Sequence, residues 1–167
     1  MKKQENNYAF VDSQNLNMGV KEAGWSLDFG KFFIYLKEKY SVKKTYLFIG
    51  YIPENQNLYS KLQEFGYVLV FKPVLKNKNG QAKGNVDADL VLKALVNLNN
   101  CDKAVIVSSD GDFYCLVDYL YGRKKLQCVL SPNKKKCSVL LRKSAKEKMV
   151  FMDNLQEKLS YKKKNTA

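Results

Sequence analysis

The stretch Val105-Ile-Val-Ser-Ser-Asp-Gly-Asp-Phe-Tyr114, VIVSSDGDFY, decides how this chain is read. A short apolar run stops at two hydroxyls and two carboxylates, then turns aromatic. Two readings open from it. Asp112 before Phe113 is a good helix N-cap, which makes the stretch a strand, a capped turn and a helix. Asp110 and Asp112 are also hard oxygen donors at a strand end, which makes it one side of a metal site.

Working outward, short apolar runs alternate with longer amphipathic ones. Residues 8–11 read as a first strand ending at Asp12. Ser26 reads as an N-cap for a helix carrying Phe29, Phe32, Phe33 and Leu36 up to Tyr40. Residues 45–49 are a second strand, residues 57–65 a helix closed by Gly66, and residues 67–71 a third strand closed by Pro73. The polar, glycine-containing residues 76–85 are a loop. Residues 86–98 place Val86, Leu90, Val91, Ala94, Leu95 and Leu98 on one helical stripe. Residues 104–107 are a fourth strand, residues 113–121 a helix with Leu116, Val117 and Leu120 inward, and residues 126–130 a fifth strand. A short helix over residues 138–144 and a late apolar piece, residues 149–152, follow.

Such alternation requires right-handed crossovers and a parallel sheet covered on both faces. The expected fold is therefore a three-layer α/β/α domain of Rossmann-like type, with strand order 3-2-1-4-5. A chain of 167 residues holds one such domain. We expect it over residues 8–159, between a flexible N-terminus (residues 1–7) and a basic, disordered tail (residues 160–167).

Composition removes several functions. Histidine is absent, and the four cysteines, Cys101, Cys115, Cys128 and Cys137, form no C-x-x-C pair. The usual zinc arrangements and Ser-His or Cys-His catalysis are thereby excluded, and the cysteines read as buried, reduced thiols. Acid–base or metal chemistry falls to carboxylates. No apolar run is long enough for a membrane span and no signal peptide is seen, so the expected location is the cytoplasm. The net charge of +13 is uneven, with +2 over residues 1–70 and +11 over residues 71–167. A basic half of this kind suits a polyanion, although a lysine-rich solvated surface would look the same.

In an open parallel sheet, ligands bind beyond the carboxyl ends of the strands, where the strand order reverses. Asp12 follows strand one; Asp110 and Asp112 follow strand four, its predicted neighbour. Asp87 and Asp89 open the helix that leaves the same rim. Each acid has an ordinary explanation: Asp12 as an Asx-turn residue, Asp112 as a cap, Asp87 and Asp89 as acids favoured by the helix dipole. Their joint placement at one crevice points instead to a carboxylate site for Mg²⁺ or Mn²⁺, able to activate water against a phosphodiester.

Three of these segments also resemble a known family. FVDSQNL (residues 10–16), KGNVDADL (residues 83–90) and IVSSDGDF (residues 106–113) resemble the signatures of NYN domains, the LabA-like branch of the PIN-like nuclease superfamily. The resemblance covers residues 8–152 and implies a PIN-like fold and divalent-metal-dependent RNA cleavage. Carried over by position, Asp12, Asp87, Asp110 and Asp112 are the catalytic and metal-facing acids, with Asp89 at a position that varies in the family. Asn15 orients ligands or substrate, and Ser108 sits beside the site. Apart from the resemblance, the basic half of the chain, with Lys83, Arg123 and Lys124, is expected to grip the RNA backbone. The pairing seen among PIN-like domains makes a homodimer a further expectation. Two departures stand out: Asn85 is an extra residue before Val86, and Lys93 replaces an acid that the family often carries. The leading expectation is a metal-dependent ribonuclease. Its rival is a non-catalytic RNA-binding module of the same fold. A dehalogenase-type phosphatase lacks its second acid after strand one, and a dinucleotide-binding fold lacks its glycine-rich loop.

Overall fold

A computed structural model of the chain describes residues 3–73, 75–80, 82–83 and 86–163, with only the backbone of 73, 75, 76, 82 and 83. Its centre is a six-stranded sheet built from β1 (Asn7–Asp12), β2 (Val42–Tyr51), β3 (Val68–Pro73), β6 (Ala104–Val107), β7 (Leu126–Ser131) and β8 (Met149–Phe151). The order is β3-β2-β1-β6-β7-β8, and every neighbouring pair is parallel. The first five positions match the order expected from the sequence. The sixth strand is the late apolar piece, only three residues long and paired Val129↔Met149.

Side chains alternate across this sheet and create two cores. Ala9 and Val11 of β1, Leu47 of β2, and Val105 and Val107 of β6 pack beneath α1 (Ser13–Glu22), α2 (Phe29–Tyr40) and α7 (Gln156–Leu159). Phe10, Phe48, Ile106 and Val129 face the other way, toward α4 (Asp87–Val96), α5 (Tyr114–Gly122) and α6 (Val139–Ala145). α3 (Gln56–Phe65) flanks the β2–β3 side and ends at Gly66, whose φ of +113° suits glycine. Burial on both faces explains why the strands read as continuous apolar runs.

Several local expectations change. α1 has no counterpart in the sequence reading; its sequence SQNLNMGVKE is mostly polar, and only Ser13, Leu16, Gly19 and Val20 are buried. Gly19 is required there, because a Cβ would lie 2.7 Å from Cγ of Pro132. The cap of α2 is Asp28, whose carboxylate accepts from the Lys31 amide at 3.0 Å, and not Ser26. The stripe on α4 is narrower than expected, since Leu95 is exposed and Leu90 and Ala94 carry the burial. The loop after β3 contains a two-residue antiparallel ladder, β4 (Leu75–Lys76) with β5 (Ala82–Lys83), around a turn at Gly80. Cys115 is exposed, whereas the other three thiols are buried and free. Asn85 lies outside the described residues.

The chain ends are held further out than the sequence suggests. The Asn6 amide donates to Asp102 at 2.8 Å and Asn7 is fully buried, so the fixed structure begins before residue 8. At the other end, Ser160 bridges Leu27 and the Tyr161 amide donates to the Ser26 carbonyl at 2.8 Å. No helix among the described residues is long and apolar enough to cross a membrane.

Candidate active site

The register Val11↔Val107 brings the carboxyl ends of β1 and β6 side by side, so Asp12 and Ser108 leave the sheet as neighbours. Each chain then turns under the control of its own acid. Asp12 caps α1, accepting from the Asn15 amide at 3.2 Å. Asp110 caps the single turn Gly111–Phe113, accepting from the Asp112 amide at 2.9 Å. The cap of this second turn is therefore Asp110, not Asp112 as the sequence suggested. One carboxylate can accept several hydrogen bonds, so capping and site chemistry use different lone pairs of the same group.

The two turns are stitched together. Oδ1 of Asn15 accepts from the Ser109 amide at 2.8 Å, and the buried Ser108 hydroxyl accepts from the Asp110 amide at 3.1 Å. Beneath them, the Ser109 and Ser131 hydroxyls share a hydrogen bond of 2.8 Å, and Nδ2 of Asn133 donates to the Gly19 carbonyl at 3.2 Å. This network ties α1, the β6 turn and the β7 turn into one floor. The spacing between Asp12 and Asp110 is thus set by side-chain hydrogen bonds, two of them accepted from main-chain amides of the Ser109–Asp110 turn.

Asp87 enters from the first turn of α4. One carboxylate oxygen from each of Asp87, Asp110 and Asp112 lies within 4.8 Å of the other two. Asp12 is beside them and almost fully buried. Burial pushes its carboxyl up to about 6, with repulsion from Asp87 and Asp110 adding to the rise. The hydrogen bonds from the Asn15 amide and the Ser108 hydroxyl offset part of it. The crevice encloses about 460 Å³, and among the described residues it is lined by five carboxylates, Asp12, Glu22, Asp87, Asp110 and Asp112, against one ammonium, Lys136. This is an all-oxygen, hard donor set with excess negative charge, the chemistry that Mg²⁺ or Mn²⁺ requires.

Glu22 and Lys136 were not singled out from the sequence. Glu22 stands seven residues after Asn15 on α1, so the same helical face carries both; recognising α1 would have found it. Lys136 ends a one-turn helix, Lys134–Lys136, fixed by the Asn133 side chain accepting from the Lys135 amide at 3.0 Å. Of the expected residues, Asp12, Asn15, Asp87, Asp110 and Asp112 line the crevice and Ser108 lies under it. Asp89 is exposed on α4 and outside the cluster. Arg123 and Lys124 follow the end of α5, just before β7 begins, and so lie at the amino-terminal rim of the sheet, away from the crevice. Arg123 rests there over the Tyr119 ring, 5.0 Å from its centroid. The Lys83 side chain lies outside the described residues. Lys93 does not intrude on the acids: its ammonium sits 5.5 Å from the centroid of Tyr46 on β2.

The sequence profile of the NYN domain matches residues 8–153, nearly the whole chain. The chain belongs to the NYN domain family. NYN domains are part of the PIN-like nuclease superfamily. The fold of this NYN domain is also that of a crystal structure of a protein of unknown function from Vibrio parahaemolyticus. The TM-score is 0.78 at 23% identity, covering 96% of this chain and 99% of the other. No curated protein matches it in sequence. The matched region contains all five crevice carboxylates and Lys136.

Proposed function

We propose that this NYN domain is a divalent-cation-dependent ribonuclease that hydrolyses phosphodiester bonds in single-stranded RNA. The observation that carries the reading is the convergence of Asp12, Asp87, Asp110 and Asp112, from three separate chain segments, on one crevice at the strand rim. Isolated caps and helix-dipole acids would have no reason to crowd together at an electrostatic cost. The membership of a nuclease superfamily supports the same conclusion.

Asp87, Asp110 and Asp112 would hold Mg²⁺ or Mn²⁺, with Asp12 completing the negative field behind them. When bound, such a cation lowers the pKa of a coordinated water and neutralises charge on the phosphoryl oxygens. The protein supplies position. Asn15 and Ser108 keep the two acid-bearing turns at fixed separation, as the hydrogen bonds to Ser109 and Asp110 require. Lys136 places a positive charge on the rim for a phosphate adjoining the scissile one. Hydrolysis adds the elements of water across one P–O bond, leaving a phosphate monoester on one fragment and a hydroxyl on the other.

The test is cleavage of an end-labelled, unstructured RNA with Mn²⁺, with EDTA, and with Asp110→Asn. Asn keeps the capping oxygen and removes the charge, so the turn survives. Cleavage by the wild type in Mn²⁺ alone, lost in EDTA and in the variant, is expected. Equal, metal-independent products from wild type and variant would refute the assignment. RNA binding without any cleavage would select the non-catalytic binding module.

A further inference from the structure

A second cavity, of about 550 Å³, opens directly beside the carboxylate crevice and shares Gln14 and Val86 with it. It lies over the carboxyl end of β2, between α1 and α3. Its chemistry is the opposite of its neighbour's. Lys72 is the one charged residue among the described residues that line it, and no carboxylate does. Phe48, Ile49 and Leu62 form an apolar floor. Asn17 from α1 and Asn55 before α3 bring side-chain amides to the wall.

The cavity is preformed. The Tyr59 hydroxyl accepts from the Ile52 amide at 2.8 Å and donates to the Gly50 carbonyl at 3.1 Å, which fixes the end of β2 where it borders the opening. Two apolar side chains that line the cavity, Ile52 and Leu58, are each 45% exposed. A half-apolar cavity with a few amide groups, in this size range, suits a flat, polar-edged ring system.

We propose that this cavity receives a nucleobase of the RNA strand whose backbone lies on the neighbouring carboxylates. The inference rests on the ribonuclease reading for the identity of the strand. A nucleotide divides chemically as these two spaces do: the phosphate needs cations and the base needs apolar surface with hydrogen-bonding edges. The wall shared through Gln14 and Val86 makes the two halves contiguous. Leu58 and Ile52 form the lips over which a ring slides, and each amide offers both a donor and an acceptor to the base edge. Only an unstacked base can enter, so the substrate is single-stranded at this point. Lys72 meets the phosphate on the far side of that base.

The test is equilibrium binding of a fluorescent pentanucleotide RNA in Ca²⁺, an oxygen-binding cation that neutralises the carboxylate crevice, compared with versions in which each base in turn is replaced by an abasic site. No cleavage is needed, so the result is independent of the nuclease assay. Removal of one particular base is expected to weaken binding to the wild type about tenfold. In Leu58→Trp, which fills the cavity from an exposed helical position, and in Asn17→Leu, the intact and abasic strands should bind alike. Equal binding of all strands by the wild type overturns the proposal, as does undiminished discrimination in either variant with a wild-type melting profile. Should both variants unfold, uridine and adenosine titrated into the wild-type protein decide the matter by NMR. Shifts at the Asn17 and Asn55 side-chain amides support the cavity, and shifts confined to other residues, or none, remove it.

Discussion

Replacing Asp12 by Asn should stabilise the metal-free protein while removing its activity. Asp12 is almost fully buried, and its carboxyl is pushed from 3.8 up to about 6, first by burial and then by Asp87 and Asp110. A group whose folded pKa lies above its unfolded value lends stability at low pH and withdraws it as pH rises through the folded pKa. The interval from 3.8 to about 6 corresponds to about 3 kcal/mol, lost between roughly pH 4 and pH 6. Asn is nearly isosteric, and its side-chain oxygen can still accept from the Asn15 amide, so the cap of α1 is kept. The Ser108 hydroxyl loses a charged acceptor, which offsets part of the gain. Urea denaturation in EDTA at pH 8 should therefore show the variant more stable by about 1–3 kcal/mol, and at pH 4 the two proteins should nearly coincide. Saturating Mn²⁺ at pH 8 should reverse the order, because the wild type gains a ligand that the variant holds poorly. A variant less stable than wild type at both pH values, or an offset that does not change with pH, would refute the electrostatic reasoning.

Three further outcomes follow from the geometry. A Cβ on Gly111 would press into the Ser138 side chain, so Gly111→Ala should displace the turn carrying Asp110 and Asp112 and cut RNA cleavage at least tenfold; adding Ser138→Gly should restore most of it. Asn15→Ala removes the acceptor for the Ser109 amide, so denaturation should show a loss of about 1–2 kcal/mol, and cleavage should fall while the fold persists by circular dichroism. Lys136→Ala should weaken RNA binding and lower the slope of log affinity against log salt by about one, whereas Arg123→Ala with Lys124→Ala, on the amino-terminal rim of the sheet, should leave cleavage unchanged.

The two halves of the site differed in how readily the sequence disclosed them. β1 and β6 were legible because four consecutive apolar residues end abruptly, in Asp12 after β1 and in two serines and two acids after β6; that same abrupt end marked Asp12, Asp110 and Asp112. Their meeting followed from parallel topology alone. α1 was hidden because its contacts are made by Leu16, Val20 and a glycine, which leaves little apolar periodicity, and Glu22 was hidden with it. Arg123 and Lys124 were assigned by charge density along the chain. Charge along a chain says nothing about the rims of a sheet: α5 starts at the site and carries the chain back to the opposite rim. Lys136 lies in the same basic stretch, but β7 has returned the chain to the carboxyl rim before it. β8 was legible only as an apolar piece, since three half-buried residues carry no strand signature of their own.

The reading of this NYN domain depends most on whether its acids bind a cation. Calorimetric titration of Mn²⁺ into the wild type and into Asp110→Asn at pH 7.5 measures that directly. Saturable binding at a small whole-number stoichiometry, lost or weakened at least tenfold in the variant, is the expected result. Absence of saturable binding in the wild type, or an identical isotherm for the variant, would contradict the account.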